Sequence, residues 1–312
     1  MQRFHNILFV SHGVKDETEA LQLALKLASK NEAQLRILIT CPPFPDTLSE
    51  YKASYEESLI DKMNKAIQSA KSGLGFAKKK IPIDVEVDCG TTPDIRIIRH
   101  VLKNSHDLLI KAAETPESMK GFKALDMELL RKCPCALFLY RPLKHTLQDI
   151  RIAVAIDPKD EEPAAQDLSL RLLALSHSLN TFYQGKLSIL SCWGFVLENY
   201  LRDSVWIKIS EDELEKMVVE EQHAHGLLLR DLIKRSQISG EYHIEHPKGQ
   251  PEEVIPEIIT HKKIDILVMG TVARTGISGF IIGNTAENIL QKIDCSLLAL
   301  KPLGFVSPVK AY

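Results

Sequence analysis

The chain has 312 residues, 45% hydrophobic and 26% charged, the balance of a globular protein with enough length for two cores. A formal net charge of −2 gives no overall pull toward nucleic acid or anionic lipid. No apolar run reaches the ~18 residues of a membrane span, and Met1-Gln-Arg-Phe-His-Asn leads into an apolar run too short for a signal-peptide core.

In chain order the first half alternates β-rich and amphipathic runs. Strands are predicted at 4–10, 34–41, 81–87, 107–110 and 136–140, with helices at 16–30, 48–72, 93–103 and 122–132 between them. Ala20, Leu23, Ala24, Leu27 and Ala28 share one face of the first helix. The second half repeats the order. Strands are predicted at 151–156, 186–191, 241–245, 265–269 and 296–300, with helices at 163–180, 211–236, 251–261 and 284–292. Ser210 with Glu213 forms a capping-box signature. Strand–helix alternation with short connections predicts an α/β fold, a parallel doubly wound sheet in each half.

The halves are copies. Pro93 matches Pro251 and Asp107 matches Asp265 at one offset, and the stretch 129–142 matches 289–302 at an offset two residues longer. The predicted domains are 1–143 and 149–303, joined by a short polar stretch. Only the later copy keeps a glycine-spaced loop after its fourth strand, with Gly270, Gly276, Gly279 and Gly283, whereas the earlier copy has no glycine there until Gly121. In an open parallel sheet ligands bind beyond the carboxyl ends of the strands. In the second half those ends are Asp157, Met269 and Gly270, next to a glycine-spaced loop and a helix starting near Asn284. Close-approaching backbone amides suit a phosphate and Asp157 suits ribose hydroxyls. The first half has His12 where the second has Asp157, and its loop Lys111-Ala-Ala-Glu-Thr-Pro-Glu brings two acids that repel phosphate.

The spacing Gly270-x2-Ala273-x9-Gly283 resembles the nucleotide signature of the universal stress protein family, G-x2-G-x9-G followed by Ser or Thr. With the duplication, the resemblance covers nearly the whole chain and is greatest for the tandem E-type branch. It implies two Rossmann-like domains of the adenine nucleotide alpha hydrolase type, each with five strands and four helices. It also implies a cytoplasmic stress-response protein that binds ATP or another adenine nucleotide. The site residues so implied are Asp157, Met269, Gly270, Ala273, Gly276, Gly279, Gly283, Asn284 and Thr285, in the second domain only. Two positions depart from the signature: Ala273 replaces a glycine, and Asn284 replaces Ser or Thr, with Thr285 offering a hydroxyl next to it. Pairing of the fifth strands would make the chain an intramolecular pseudo-dimer and cover otherwise open edges. Association into a homodimer is left open.

Three other chemistries stay open beside this one. They are slow nucleotide hydrolysis, for which no general base or metal-binding carboxylate pair is evident, a hydrophobic or lipid-like ligand near the aromatic segment 193–209, and zinc. His223/His225 and His243/His246 have spacings that point the rings apart, so they are expected at the surface and no metal is assigned. The six cysteines contain no C-x-x-C pair and are expected to be reduced thiols. No nucleophilic elbow is present, so no catalytic residue is assigned.

Overall fold

The computed structural model describes residues 4–13, 16–76, 80–114, 116, 119–146, 148–203, 209–271 and 282–312. They form two compact units. The first holds residues 4–142 and 296–312, the second 143–271 and 283–295.

In the first unit the elements follow the predicted alternation: β1 (Asn6–Ser11), α1 (Thr18–Asn31), β2 (Gln34–Cys41), α2 (Lys52–Gly73), β3 (Ile83–Cys89), α3 (Pro93–Asn104), β4 (Leu108–Ala112), α4 (Ala124–Lys132) and β5 (Ala136–Tyr140). The strand order β3-β2-β1-β4-β5 is parallel throughout. β1 is buried on both faces, with Ile7, Leu8, Phe9 and Val10 fully inaccessible, as a central parallel strand should be. The second helix departs from its predicted start, because a 3-10 turn at Asp46–Tyr51 precedes α2.

The second unit holds β6 (Arg151–Ala155), α5 (Pro163–Tyr183), β7 (Lys186–Leu190), α6 (Glu198–Arg202), α7 (Glu211–Ser236), β8 (His243–Glu245), α8 (Pro251–His261), β9 (Ile266–Gly270) and α9 (Asn284–Leu290). Its strands run parallel in the order β8-β7-β6-β9. The predicted capping box is present, with Ser210 Oγ accepting the Glu213 amide and the Glu213 carboxylate accepting the Ser210 amide.

The fifth strand of the second repeat, β10 (Ser296–Leu300), groups with the first unit. There it lies antiparallel to β5, Leu297 facing Leu139 and Ala299 facing Leu137. Ser296 Oγ accepts the Arg141 amide hydrogen and donates to the Arg141 carbonyl, locking this register.

The matched aspartates have a structural cause. Asp107 accepts the backbone amides of His5 and Asn6, and Asp265, 2% exposed, accepts those of Lys144, His145 and Arg151. Each ties the chain entering its repeat's first strand to the start of the fourth.

Two expectations are corrected. Cys41 and Cys89 are joined by a disulfide, so not all six cysteines are thiols. The in-register parallel pairing of β2 and β3 sets these residues opposite each other, Cα atoms 4.4 Å apart, a proximity that 48 positions of separation conceal. His225 is not a surface residue: it is 1% exposed, and its Nδ1 lies 2.8 Å from His246 Nε2. His223 and His243 are exposed, as expected.

Candidate functional site at the carboxyl ends of the second unit's strands

α5 packs across β6, β7 and β9, and its i, i+4 pair Leu168 and Leu172 forms one wall of a cavity of about 320 Å³ beyond those strands. Ile255 of α8 and Ile289 of α9 supply further apolar surface. The polar rim is Asp157, Asp160, Cys192, Thr271, Asn284 and Thr285. Such a volume, mostly apolar with a few convergent polar groups, is the usual form of a small-molecule site.

Six of the nine residues selected from sequence line this one cavity: Asp157, Met269, Gly270, Gly283, Asn284 and Thr285. The other three, Ala273, Gly276 and Gly279, lie outside the described residues. Asp157 is exposed at the end of β6, where its Oδ1 accepts the Lys159 amide at 2.9 Å. That bond holds the carboxylate in an Asx turn at the cavity mouth. At Gly270 an added Cβ would stand 2.8 Å from Leu168 Cδ2, so any larger residue would make the Leu168 side chain turn aside. Gly283 caps α9 at φ −59° and ψ 140°, a conformation open to any residue. Its glycine therefore answers no backbone demand. The Gly283 amide donates to the Thr271 carbonyl at 3.1 Å, closing the two ends of the loop on each other.

Sequence reasoning missed Leu168, Leu172, Cys192, Ile255 and Thr271. The helix face carrying Leu168 and Leu172 was readable as apolar, but nothing marked it as a ligand wall. Cys192 follows the strand next to β6, and burial, with the Glu252 and Asp157 carboxylates, pushes its thiol up to about 11. It stays protonated at neutral pH. Thr271 is 1% exposed, and among the described residues its Oγ1 has no hydrogen-bond partner. A buried hydroxyl left unpaired costs about 1–3 kcal/mol, so a ligand atom that completes it would be favoured.

The equivalent place in the first unit is filled by its own side chains. Ile7 pairs with Leu108 as Ile152 pairs with Ile266, so His12 takes the position of Asp157 and Lys111 that of Met269. Lys111, fully buried, lies 2.9 Å from Asp126 Oδ1, and Asp126 Oδ2 accepts the Glu114 amide. His12 Nε2 is 3.3 Å from Glu114 Oε1. Burial holds the Asp126 carboxyl above the usual range, with the Lys111 ammonium pulling the other way. A lysine and two acids thus stand at the strand ends that match the second unit's cavity, while the first unit's own cavity of about 330 Å³ lies at the end of β1 between α1 and α2, lined by Ser11, Gly13, Glu17 and Lys62.

Beside the cavity's edge, Trp193 is buried next to His246, whereas Tyr200 is exposed and Trp206 lies outside the described residues. Among the described residues no cluster of three or more His, Cys, Asp or Glu is placed to hold a metal ion, and no helix is long and apolar enough to cross a membrane.

The sequence profile of the universal stress protein family matches residues 3–141 and again 151–301. The chain belongs to the universal stress protein family. It is 26% identical to universal stress protein E of Photorhabdus laumondii, with 100% of this chain and 99% of that protein aligned. It is 27% identical to the universal stress protein E homolog of Haemophilus influenzae, over 96% and 98%. In fold it is similar to a functionally unknown protein of Pseudomonas aeruginosa PAO1, with TM-score 0.71, 20% identity and coverage of 96% and 93%. A universal stress protein from Archaeoglobus fulgidus follows at TM-score 0.63, 15% identity and coverage of 95% and 98%. Two tandem universal stress domains of the α/β class are therefore present.

Proposed function

We propose that this universal stress protein is a binding module that takes one adenine nucleotide, in its second repeat. The two repeats are taken as residues 1–143 and 149–303, and a cytoplasmic location belongs to the same reading. The observation that carries it is the contrast between repeats: the second gathers Asp157, Gly270, Asn284 and Thr285 around a cavity, and the first fills the same place with Lys111, Asp126 and Glu114. Leu168, Leu172 and Ile255 offer flat apolar surface for a base. Asp157 accepts from ribose hydroxyls, and its charge, with that of Asp160, keeps phosphates at the opposite end of the cavity. There the Asn284 amide and Thr285 hydroxyl donate. No side chain is assigned to chemistry on the nucleotide.

The test is Thr271→Val, read in two assays. Removing an unpaired buried hydroxyl stabilises the ligand-free protein by about 1 kcal/mol, whereas losing a ligand hydrogen bond weakens ATP by roughly tenfold. Opposite signs support the proposal. Unchanged affinity for labelled ATP, or no binding by the wild-type chain, would remove it.

A further inference from the structure

The sharpest chemistry outside the cavity lies in the first unit, where α4 hands over to β5. Cys133 follows α4 and Cys135 precedes β5, with Pro134 between them. Their Sγ atoms are 3.5 Å apart, in hydrogen-bond contact. Lys301, just after β10 and only 7% exposed, donates from Nζ to the Cys133 carbonyl at 2.7 Å and lies 4.2 Å from the centre of the Phe305 ring. All of these residues belong to one compact unit.

A buried ammonium beside two thiols favours the thiolate, the nucleophilic form of cysteine. We propose that Cys133 and Cys135, with Lys301 as a positioning residue, form a redox site that a small hydroperoxide converts to an internal disulfide. The geometry divides the labour. Cys133 is 1% exposed and its carbonyl accepts from the Lys301 ammonium, and Cys135 is half-buried. The contact with the Cys135 S–H, helped by the Lys301 charge and opposed by burial, draws the Cys133 thiol below its usual value. Cys135 moves the other way, because the same contact, burial, Cys133 and Asp107 all oppose its ionisation. Burial pushes Lys301 down to about 8, while the thiols favour its charged form.

The chemistry balances in two steps. The Cys133 thiolate attacks the near oxygen of hydrogen peroxide, the O–O bond breaks, and the departing hydroxide takes a proton, leaving a sulfenic acid and one water. Cys135 sulfur then attacks the Cys133 sulfur, its proton goes to the leaving hydroxyl, and a second water departs with the S–S bond formed. Two thiols are oxidised and one peroxide is reduced. Closing the sulfurs from van der Waals contact to ~2.05 Å needs only side-chain rotation and a small backbone adjustment over a two-residue span. Buried surroundings favour a small oxidant over a bulky disulfide.

Tryptic digestion isolates the pair, since residues 133–144 carry both thiols and no other cysteine. The full chain is treated with hydrogen peroxide, alkylated and digested. The peptide should become two hydrogens lighter, take no alkyl group, and regain both alkylation sites after dithiothreitol, while Cys192, whose thiol stays protonated, remains alkylatable. In Cys135→Ser, a cyclic diketone should trap the sulfenic acid on Cys133. Lys301→Met should slow oxidation by about tenfold, the thiolate fraction lost per pKa unit, and Lys301→Arg should restore it. Circular dichroism confirms that each variant is folded. Full alkylation of the wild-type peptide after peroxide, oxidation of Cys192 at the same rate, or a folded Lys301→Met variant that reacts like wild type would each overturn the proposal.

Discussion

The filled site of the first repeat predicts a specific pattern of stability. In Lys111→Met the ammonium that faces Asp126 is gone, and both side chains are fully inaccessible. Breaking a buried pair by removing one partner costs about 3–5 kcal/mol. Asp126 retains the Glu114 amide, and its carboxyl, held high by burial, can neutralise itself by taking a proton. Those two features place the expected loss near the lower bound, about 3 kcal/mol. The double substitution Lys111→Met with Asp126→Leu removes both charges together and is expected within about 1 kcal/mol of wild type. Tryptophan fluorescence would miss the effect, because Trp193 and Trp206 both lie in the other repeat. Hydrogen exchange of the β4 amides across a urea series reads it directly, as the free energy of opening. A single variant indistinguishable from wild type, or a double variant as unstable as the single one, would refute the ion-pair reasoning.

Other expectations follow from the same contacts. Asp157→Ala removes the proposed ribose acceptor from an exposed position and should weaken ATP by roughly tenfold, measured by equilibrium dialysis, while losing about 1 kcal/mol of stability with its bond to the Lys159 amide; unchanged affinity would place the ribose elsewhere. Burial, then the neighbouring His100 charge, pushes His106 down to about 4, and burial also lowers His225 and His246. These rings are neutral in the fold and take protons more readily when unfolded. Stability should therefore hold above about pH 6.5 and fall as pH drops toward 4, a trend that His106→Gln should flatten in urea midpoints. Reducing Cys41–Cys89, which closes a separation of 48 residues, should cost the first unit about 2–4 kcal/mol, read by the same exchange assay; no change would mean that the bond contributes nothing to folding.

Strand positions, the duplication and the α7 capping box were legible because each rests on local pattern. Alternation shows in hydrophobicity, and a cap shows in four consecutive residues. Asp107 and Asp265 were visible as a match, although their shared task of receiving backbone amides from the chain entering β1 and β6 was not. What escaped was contact across distant segments. His225 and His246 meet only because α7 and the segment after β8 come together, and a spacing rule applied within each element missed the pair. Lys111 was read as the first residue of a loop, whereas it lies in β4 and its partner Asp126 lies within the following helix. At the candidate site, glycine spacing led to strand ends that line a cavity. The apolar wall of Leu168, Leu172 and Ile255 carried no such mark, since an apolar helix face reads the same over a core or a ligand.

The asymmetry between the repeats is most directly tested by hydrogen–deuterium exchange of the full chain with and without ATP. Protection is expected around residues 157–159, 269–271 and 283–290, with residues 12–13 and 111–114 unchanged. Protection at the first repeat's positions, or none at the second's, would contradict a single nucleotide site built by the second repeat.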